Sequence, residues 1–83
     1  MRFVYFAWVR ERIGTGEEEL DLPDGIDTVA ALLDWLATRS DGHAAALAQP
    51  GLVRVALDRE HAEETASLAG VREIALFPPM TGG

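Results

Sequence analysis

The sequence predicts an α+β domain, a mixed sheet with one principal helix packed on one face. Three observations predict it. A single apolar stripe, Val29, Leu32, Leu33 and Leu36, recurs at i, i+3, i+4 and i+7, as in a helix that buries one side. Strand-like stretches stand both before and after that stripe. The 83 residues, 48% of them hydrophobic, suffice for one core. No internal repeat, low-complexity segment or linker divides them, so a single domain is expected over residues 1–83.

Taken in order, Phe3 to Val9 is apolar on both alternating faces and rich in aromatic and β-branched side chains. That is the pattern of a central strand covered on both sides. Arg10 to Gly16 breaks it with charges and two glycines, which predicts a hairpin connection. Glu17 to Leu22 then reads as an edge strand with one wet face, its acids followed by Leu20 and Leu22. Pro23-Asp24-Gly25 is a turn. Asp27 or Thr28 is the N-cap of the principal helix, with Trp35 at the flank of its stripe and Asp34 and Arg39 facing water. A shorter Ala-rich helix is expected over His43 to Gln49, stopped by Pro50-Gly51.

Leu52 to Asp58 predicts a strand with Val53, Val55 and Leu57 on one face, and Glu60 to Ala62 a short partner for it. Leu68-Ala69-Gly70 is a turn region, and Glu73 to Phe77 is the last strand. These faces are satisfied when the first and last strands pair in the middle of the sheet, an arrangement of the β-grasp type. Residues 76–83 form an extended C-terminal tail.

Composition excludes several kinds of chemistry. There is no Cys, hence no disulfide, thiolate metal site or cysteine nucleophile. All seven basic residues are Arg, so a Walker phosphate loop, a Schiff base and a lysine acceptor are absent too. A net charge of −7 argues against a nucleic-acid backbone as ligand and suits a basic partner surface. No apolar stretch approaches membrane-spanning length, and Met1 leads straight into strand-like sequence without a signal peptide. A cytoplasmic protein is expected.

Individual candidates are sparse. His43 and His61 stand alone in the sequence, without a carboxylate or second His at ligand spacing, and no metal site is expected. Ser40 and Ser67 lack a matching His and acid, and Gly14-Thr15-Gly16 lacks the helix that a dinucleotide site needs. Glu17 to Glu19 reads as an exposed strand start. Trp8 and Trp35 read as core residues or as a partner-facing patch.

What remains is the C-terminus, Phe77-Pro78-Pro79-Met80-Thr81-Gly82-Gly83. Two terminal glycines arise by chance in roughly one chain in 200. Here, however, Pro78 and Pro79 fix φ and stiffen an extended exit from the sheet. At up to ~3.5 Å per residue, Pro79 to Gly83 reaches roughly 17 Å into a partner. Gly82 and Gly83 leave the backbone thin enough to thread a narrow channel. A carboxylate at Gly83 is a poor electrophile until activated, and the chain holds no nucleotide motif, so a separate enzyme would activate it.

With these residues in view, the chain resembles the molybdopterin synthase small subunit family, sulfur carriers with a ubiquitin-like β-grasp fold. The resemblance is carried by Tyr5-Phe6-Ala7-Trp8-Val9-Arg10-Glu11, by Ile13-Gly14-Thr15, and above all by Ile74-Ala75-Leu76-Phe77-Pro78-Pro79-Met80-Thr81-Gly82-Gly83. It runs the full length. It departs at Leu57-Asp58-Arg59-Glu60, where the family commonly carries Val-Asn, and at Gly70-Val71-Arg72-Glu73, where it favours Gly-Asp-Glu. The thiamine-pathway sulfur carrier also ends in Gly-Gly, but it is usually shorter and lacks the Phe-Pro-Pro lead-in.

The resemblance implies that Gly83 is adenylated with ATP by a partner activating enzyme and converted to a thiocarboxylate by a sulfur-donor system. The tail, Met80, Thr81 and Gly82, would thread into the large catalytic subunit and donate sulfur to cyclic pyranopterin monophosphate. Phe77, Pro78 and Pro79 would dock against that partner, although Phe77 serves equally well as core. A heterotetramer of two carrier–catalytic pairs is implied, with no cofactor bound to the carrier and no catalytic site of its own. Three alternatives stay open: a ubiquitin-like modifier conjugated through Gly83, a sulfur carrier for another pathway such as thiamine synthesis, and a plain interaction domain whose Gly-Gly is incidental.

Overall fold

The computed structural model describes residues 1–79. Their strands are β1 (Arg2–Tyr5), β2 (Glu17–Glu19), β3 (Arg54–Leu57), β4 (Glu60–Ala62) and β5 (Glu73–Phe77), and their helices α1 (Ala7–Ile13), α2 (Val29–Leu36) and α3 (Asp41–Ala46). The described strands form one sheet in the order β2-β1-β5-β3-β4. The expected central pair is present: β1 runs parallel to β5, with Phe3 opposite Ile74 and Tyr5 opposite Leu76. The other pairings are antiparallel. Phe3, Tyr5, Ile74 and Leu76 point to one face, where they meet Val9, Val29, Leu32 and Leu36 in the fully buried core. Each such side chain contributes about 1.5–3 kcal/mol by leaving water.

The expected strand over Phe3 to Val9 is too long. β1 stops at Tyr5, Phe6 stays extended, and Ala7 turns the chain with φ 51° into α1. The apolar run continues past the strand because α1 also buries a face. Val9 and Ile13, four residues apart, point inward, while Arg12 folds its guanidinium 4.4 Å over the Trp8 ring on the flank. The predicted hairpin over Arg10 to Gly16 is therefore mostly helix. Gly14 ends it in the left-handed region (φ 98°), its N–H donating to the Arg10 carbonyl.

The edge strand β2 is shorter than predicted and ends at Glu19, and Leu20 and Leu22 pack half-buried against the core instead. Thr28, not Asp27, caps α2: its Oγ1 accepts the Ala31 N–H at 3.2 Å. α3 starts two residues before His43 and ends at Ala46, because Ser40 caps it by accepting the His43 N–H at 3.1 Å. α3 lies tight against α1, where a Cβ placed on Gly42 would sit 2.5 Å from the Arg12 carbonyl oxygen. A 3-10 turn over Pro50–Leu52 delays β3 to Arg54. Asp58 and Arg59, both at positive φ, join β3 to β4 in two residues. The Asp58 carboxylate accepts the N–H groups of Arg72 and Glu73, which fixes the entry to β5.

Candidate functional site

Strand β5 determines where the tail leaves. Ile74 and Leu76 face the helices, so Ala75 and Phe77 face the other side of the sheet, and Phe77 is the last residue before Pro78 and Pro79. On that open face Val4, Ala75 and Ala56 lie in one row, and Phe77 lies opposite Arg54 in the next. Phe6, half exposed, stands on the other side of Phe77 and donates its N–H to the Leu76 carbonyl at 3.1 Å. His61 meets the Phe77 ring edge-on, 5.4 Å between centroids. The result is a shallow apolar strip of Val4, Phe6, Ala56, Ala75 and Phe77 at the root of the tail.

Phe77, Pro78 and Pro79 are all half-buried. Phe77 is thus not a core residue, and its remaining surface is open to a partner. Met80, Thr81, Gly82 and Gly83, the other residues expected to act, lie outside the described residues. Trp8 and Trp35 are half-buried against the core, each with an arginine over its ring, Arg12 and Arg39.

The expectation that His43 stands alone is corrected by the fold, as are the exposure of Glu18 and the isolation of Ser40. Glu18 pairs with Phe3 across β1 and β2, so it is the one acid of the Glu17–Glu19 run turned toward the helices. Its Oε2 receives the Tyr5 hydroxyl at 2.7 Å and approaches His43 Nε2 at 2.6 Å. His43 is buried, and its Nδ1 lies 2.7 Å from Ser40 Oγ. Because an ionised carboxylate only accepts, Nε2 is the donor to Glu18. In the neutral ring Nδ1 then accepts the Ser40 hydroxyl, whose oxygen also accepts the His43 N–H.

Burial pushes the Glu18 carboxyl up, but the hydrogen bonds from Tyr5 and His43 and the charges of His43 and Arg39 outweigh it. The net pKa lies below the ordinary carboxylate range. Burial, then the hydrogen bond and charge of Glu18, push the Tyr5 phenol far up, so it stays a donor. The four side chains satisfy one another and tie the edge strand to β1 and α3. Ser40 is already committed as a cap, so the cluster is structural rather than nucleophilic. The spacing Ser40–His43 is a legible cap signal, but Glu18 lies 25 residues from His43 and no local pattern connects them.

Among the described residues no group of three or more His, Asp or Glu side chains is placed to hold a metal ion. No described helix is long and apolar enough to cross a membrane. The arrangement therefore defines a class of protein. It is a ubiquitin-like β-grasp domain whose last strand leads through Phe77 into Pro78 and Pro79 beside an apolar sheet face.

The chain belongs to the ThiS family, whose profile matches residues 3–83. It is 36% identical over 85 residues to the molybdopterin synthase sulfur carrier subunit of Escherichia coli, covering all of this chain and 99% of that one. The subunit of the same name from Haemophilus influenzae is 34% identical over 83 residues with the same coverage. Among solved structures, small archaeal modifier protein 1 of Haloferax volcanii superposes with a TM-score of 0.66 at 31% identity, over 96% of this chain and 97% of its own. A molybdopterin converting factor subunit 1 from Pyrococcus furiosus, at 23% identity, shares the fold with a TM-score of 0.75 over 95% of each chain.

Proposed function

We propose that this protein is the sulfur-carrying, sulfur-donating subunit of a molybdopterin synthase, working in the cytoplasm. The observation that carries the reading is full-length similarity, at 34–36% identity, to two sulfur carrier subunits of that enzyme. It is joined to a tail that leaves the sheet through Phe77-Pro78-Pro79 and ends in Gly82-Gly83. In this reading a partner enzyme uses ATP to join AMP to the Gly83 carboxylate, releasing pyrophosphate. A sulfur-donor system then displaces AMP to leave the thiocarboxylate.

The tail, Met80 to Gly83, threads into the large catalytic subunit, where the sulfur passes to cyclic pyranopterin monophosphate. Phe77, Pro78 and Pro79 seat against that subunit, and two carrier–catalytic pairs assemble as a heterotetramer. The carrier supplies no catalytic side chain. Its part is to bring one reactive atom to the end of an extended strand and to be recognised by two partners in turn. A missing Cys suits this role, since no side-chain thiol competes for the sulfur.

Deleting Gly83 tests the proposal. The shortened chain is expected to keep its melting temperature and to lose sulfur transfer completely when assayed with the activating enzyme, a sulfur source and the large subunit. Molybdopterin formation at the normal rate by the shortened chain would refute it. A second reading, a protein modifier joined through Gly83, is favoured by the 31% identity to small archaeal modifier protein 1. Intact-mass analysis of the protein from its own host separates the two: an oxygen-to-sulfur exchange at the C-terminus marks the carrier, and adducts on other proteins mark the modifier.

A further inference from the structure

We infer that Arg54 is an ion-pairing site for a carboxylate on the surface that receives the tail, so that the partner's socket for Phe77 has an acidic rim. The inference rests on the docking reading above and adds to it the chemistry of the partner. Arg54 is directly opposite Phe77 in the β3–β5 register and on the same face, so the row at the tail's root runs Phe6, Phe77, Arg54. A partner that covers Phe77 cannot avoid the Arg54 guanidinium.

The other cations are engaged or elsewhere. Arg2 pairs with Glu17 at 2.8 Å and with Glu73 at 3.6 Å, and Arg59 approaches Glu73 at 3.9 Å. Arg12 and Arg39 lie over the Trp8 and Trp35 rings. Arg10 packs its side chain over Gly16, and Arg72 precedes β5 at the end remote from the tail. Arg54 is exposed, and among the described residues no carboxylate lies within 4 Å of it and no aromatic ring covers it. Glu63, which the β3–β4 register carries alongside Arg54, does not close on it either.

This placement sets an exposed cation at the tail's root in a chain of net charge −7. Glu17 and Glu19 lie on β2, two strands away from Phe77, and the acid nearest in register is Glu63, beyond Arg54 and not ion-paired with it. A guanidinium is weakly hydrated and forms bidentate pairs with carboxylates, which makes Arg the cation most at home beside an apolar contact. A complementary carboxylate gives docking its direction, and a partner lacking one leaves the guanidinium desolvated and unpaired. The apolar strip alone would accept any greasy surface, whereas Arg54 selects among them.

The experiment is a binding titration of the full-length chain against the large catalytic subunit from the same organism, at low and at high salt. It compares the wild type with Arg54→Lys, Arg54→Gln, Arg54→Glu and Phe77→Ala, with melting curves to show that each variant folds. Arg54→Gln is expected to weaken binding about 10-fold and Arg54→Glu about 100-fold, while Arg54→Lys, which keeps the charge but not the bidentate fork, falls between the wild type and Arg54→Gln. The salt dependence of the wild type flattens in Arg54→Gln.

If Arg54→Glu binds as the wild type does while Phe77→Ala is weakened, the acidic rim is refuted and the docking face stands. If Arg54→Lys loses as much as Arg54→Gln, charge is not what the partner reads, and the inference again fails alone. If the wild type does not bind, or Phe77→Ala costs nothing, the docking reading falls and takes the inference with it.

Discussion

Replacing Glu18 tests the logic of the buried cluster. One oxygen, Oε2, receives both the Tyr5 hydroxyl at 2.7 Å and the His43 ring N–H at 2.6 Å. Glu18→Ala leaves those two donors in a site where His43 is 7% and Tyr5 2% exposed. A hydrogen bond to a charged group is worth ~1.5–3 kcal/mol. The Glu18 side chain is itself 23% exposed, so the low end applies, and the pair together comes to about 2–3 kcal/mol. For a domain of this size that lowers Tm by roughly 10–20 °C. Glu18→Gln keeps an acceptor without the charge and is expected to cost about 1 kcal/mol, or roughly 5 °C.

Acid supplies the second half of the test. The Glu18 pKa is lowered in the fold, so its contribution is complete above the ordinary value of 4.5 and fades as pH falls through the lowered one. Thermal unfolding followed by circular dichroism, from neutral pH down to about pH 3, should therefore show the gap between wild type and Glu18→Gln closing only in the acid range. Adding Tyr5→Phe to Glu18→Ala is expected to cost less than Tyr5→Phe alone, because the two side chains share one bond. The reasoning is refuted if Glu18→Ala melts within about 2 °C of the wild type, or if the gap is the same at every pH.

Two further outcomes check the packing and the caps. Gly42→Ala pushes a methyl against the Arg12 carbonyl at the α1–α3 contact, and a loss of about 1–3 kcal/mol in urea unfolding is expected with the m-value unchanged. Thr28→Ala removes the acceptor for the Ala31 N–H and should cost about 1 kcal/mol, whereas Thr28→Ser should restore nearly all of it in the same melts.

The principal helix and the last strand were legible because their signals are local and strong. The stripe Val29, Leu32, Leu33, Leu36 has one period only, and Glu73 to Phe77 alternates cleanly. Phe3 to Val9 misled for a physical reason: a strand buried on one face and a helix buried on one face are joined there without a polar break. The signature of α1 lay in the pairs Val9–Ile13 and Trp8–Arg12 and in Gly14 as a helix stop. Reading Gly14 as a hairpin glycine hid it.

The tail root was legible down to Phe77-Pro78-Pro79, since prolines after a strand act through their own geometry. The Tyr5–Glu18–His43–Ser40 cluster was not, because its members come from three elements and meet only once the sheet has formed. Nor was the exposed face of Phe77 settled by its neighbours in sequence; the register with Arg54 and the packing of Ile74 and Leu76 decide it.

The parallel pairing of β1 with β5 has a consequence for how the chain is made. The central strand pair joins residues 2–5 to residues 73–76, so β1 has to wait for a partner far along the chain. The middle of the sheet therefore stays open until β5 has been made, and closing it joins segments far apart in the chain, a slow class of contact. A chain broken off anywhere before β5 lacks its central strand as well as the tail. Such a fragment has nothing to close the sheet around Phe3 and Tyr5, so the strand that leads to Phe77 is also the one that completes the core.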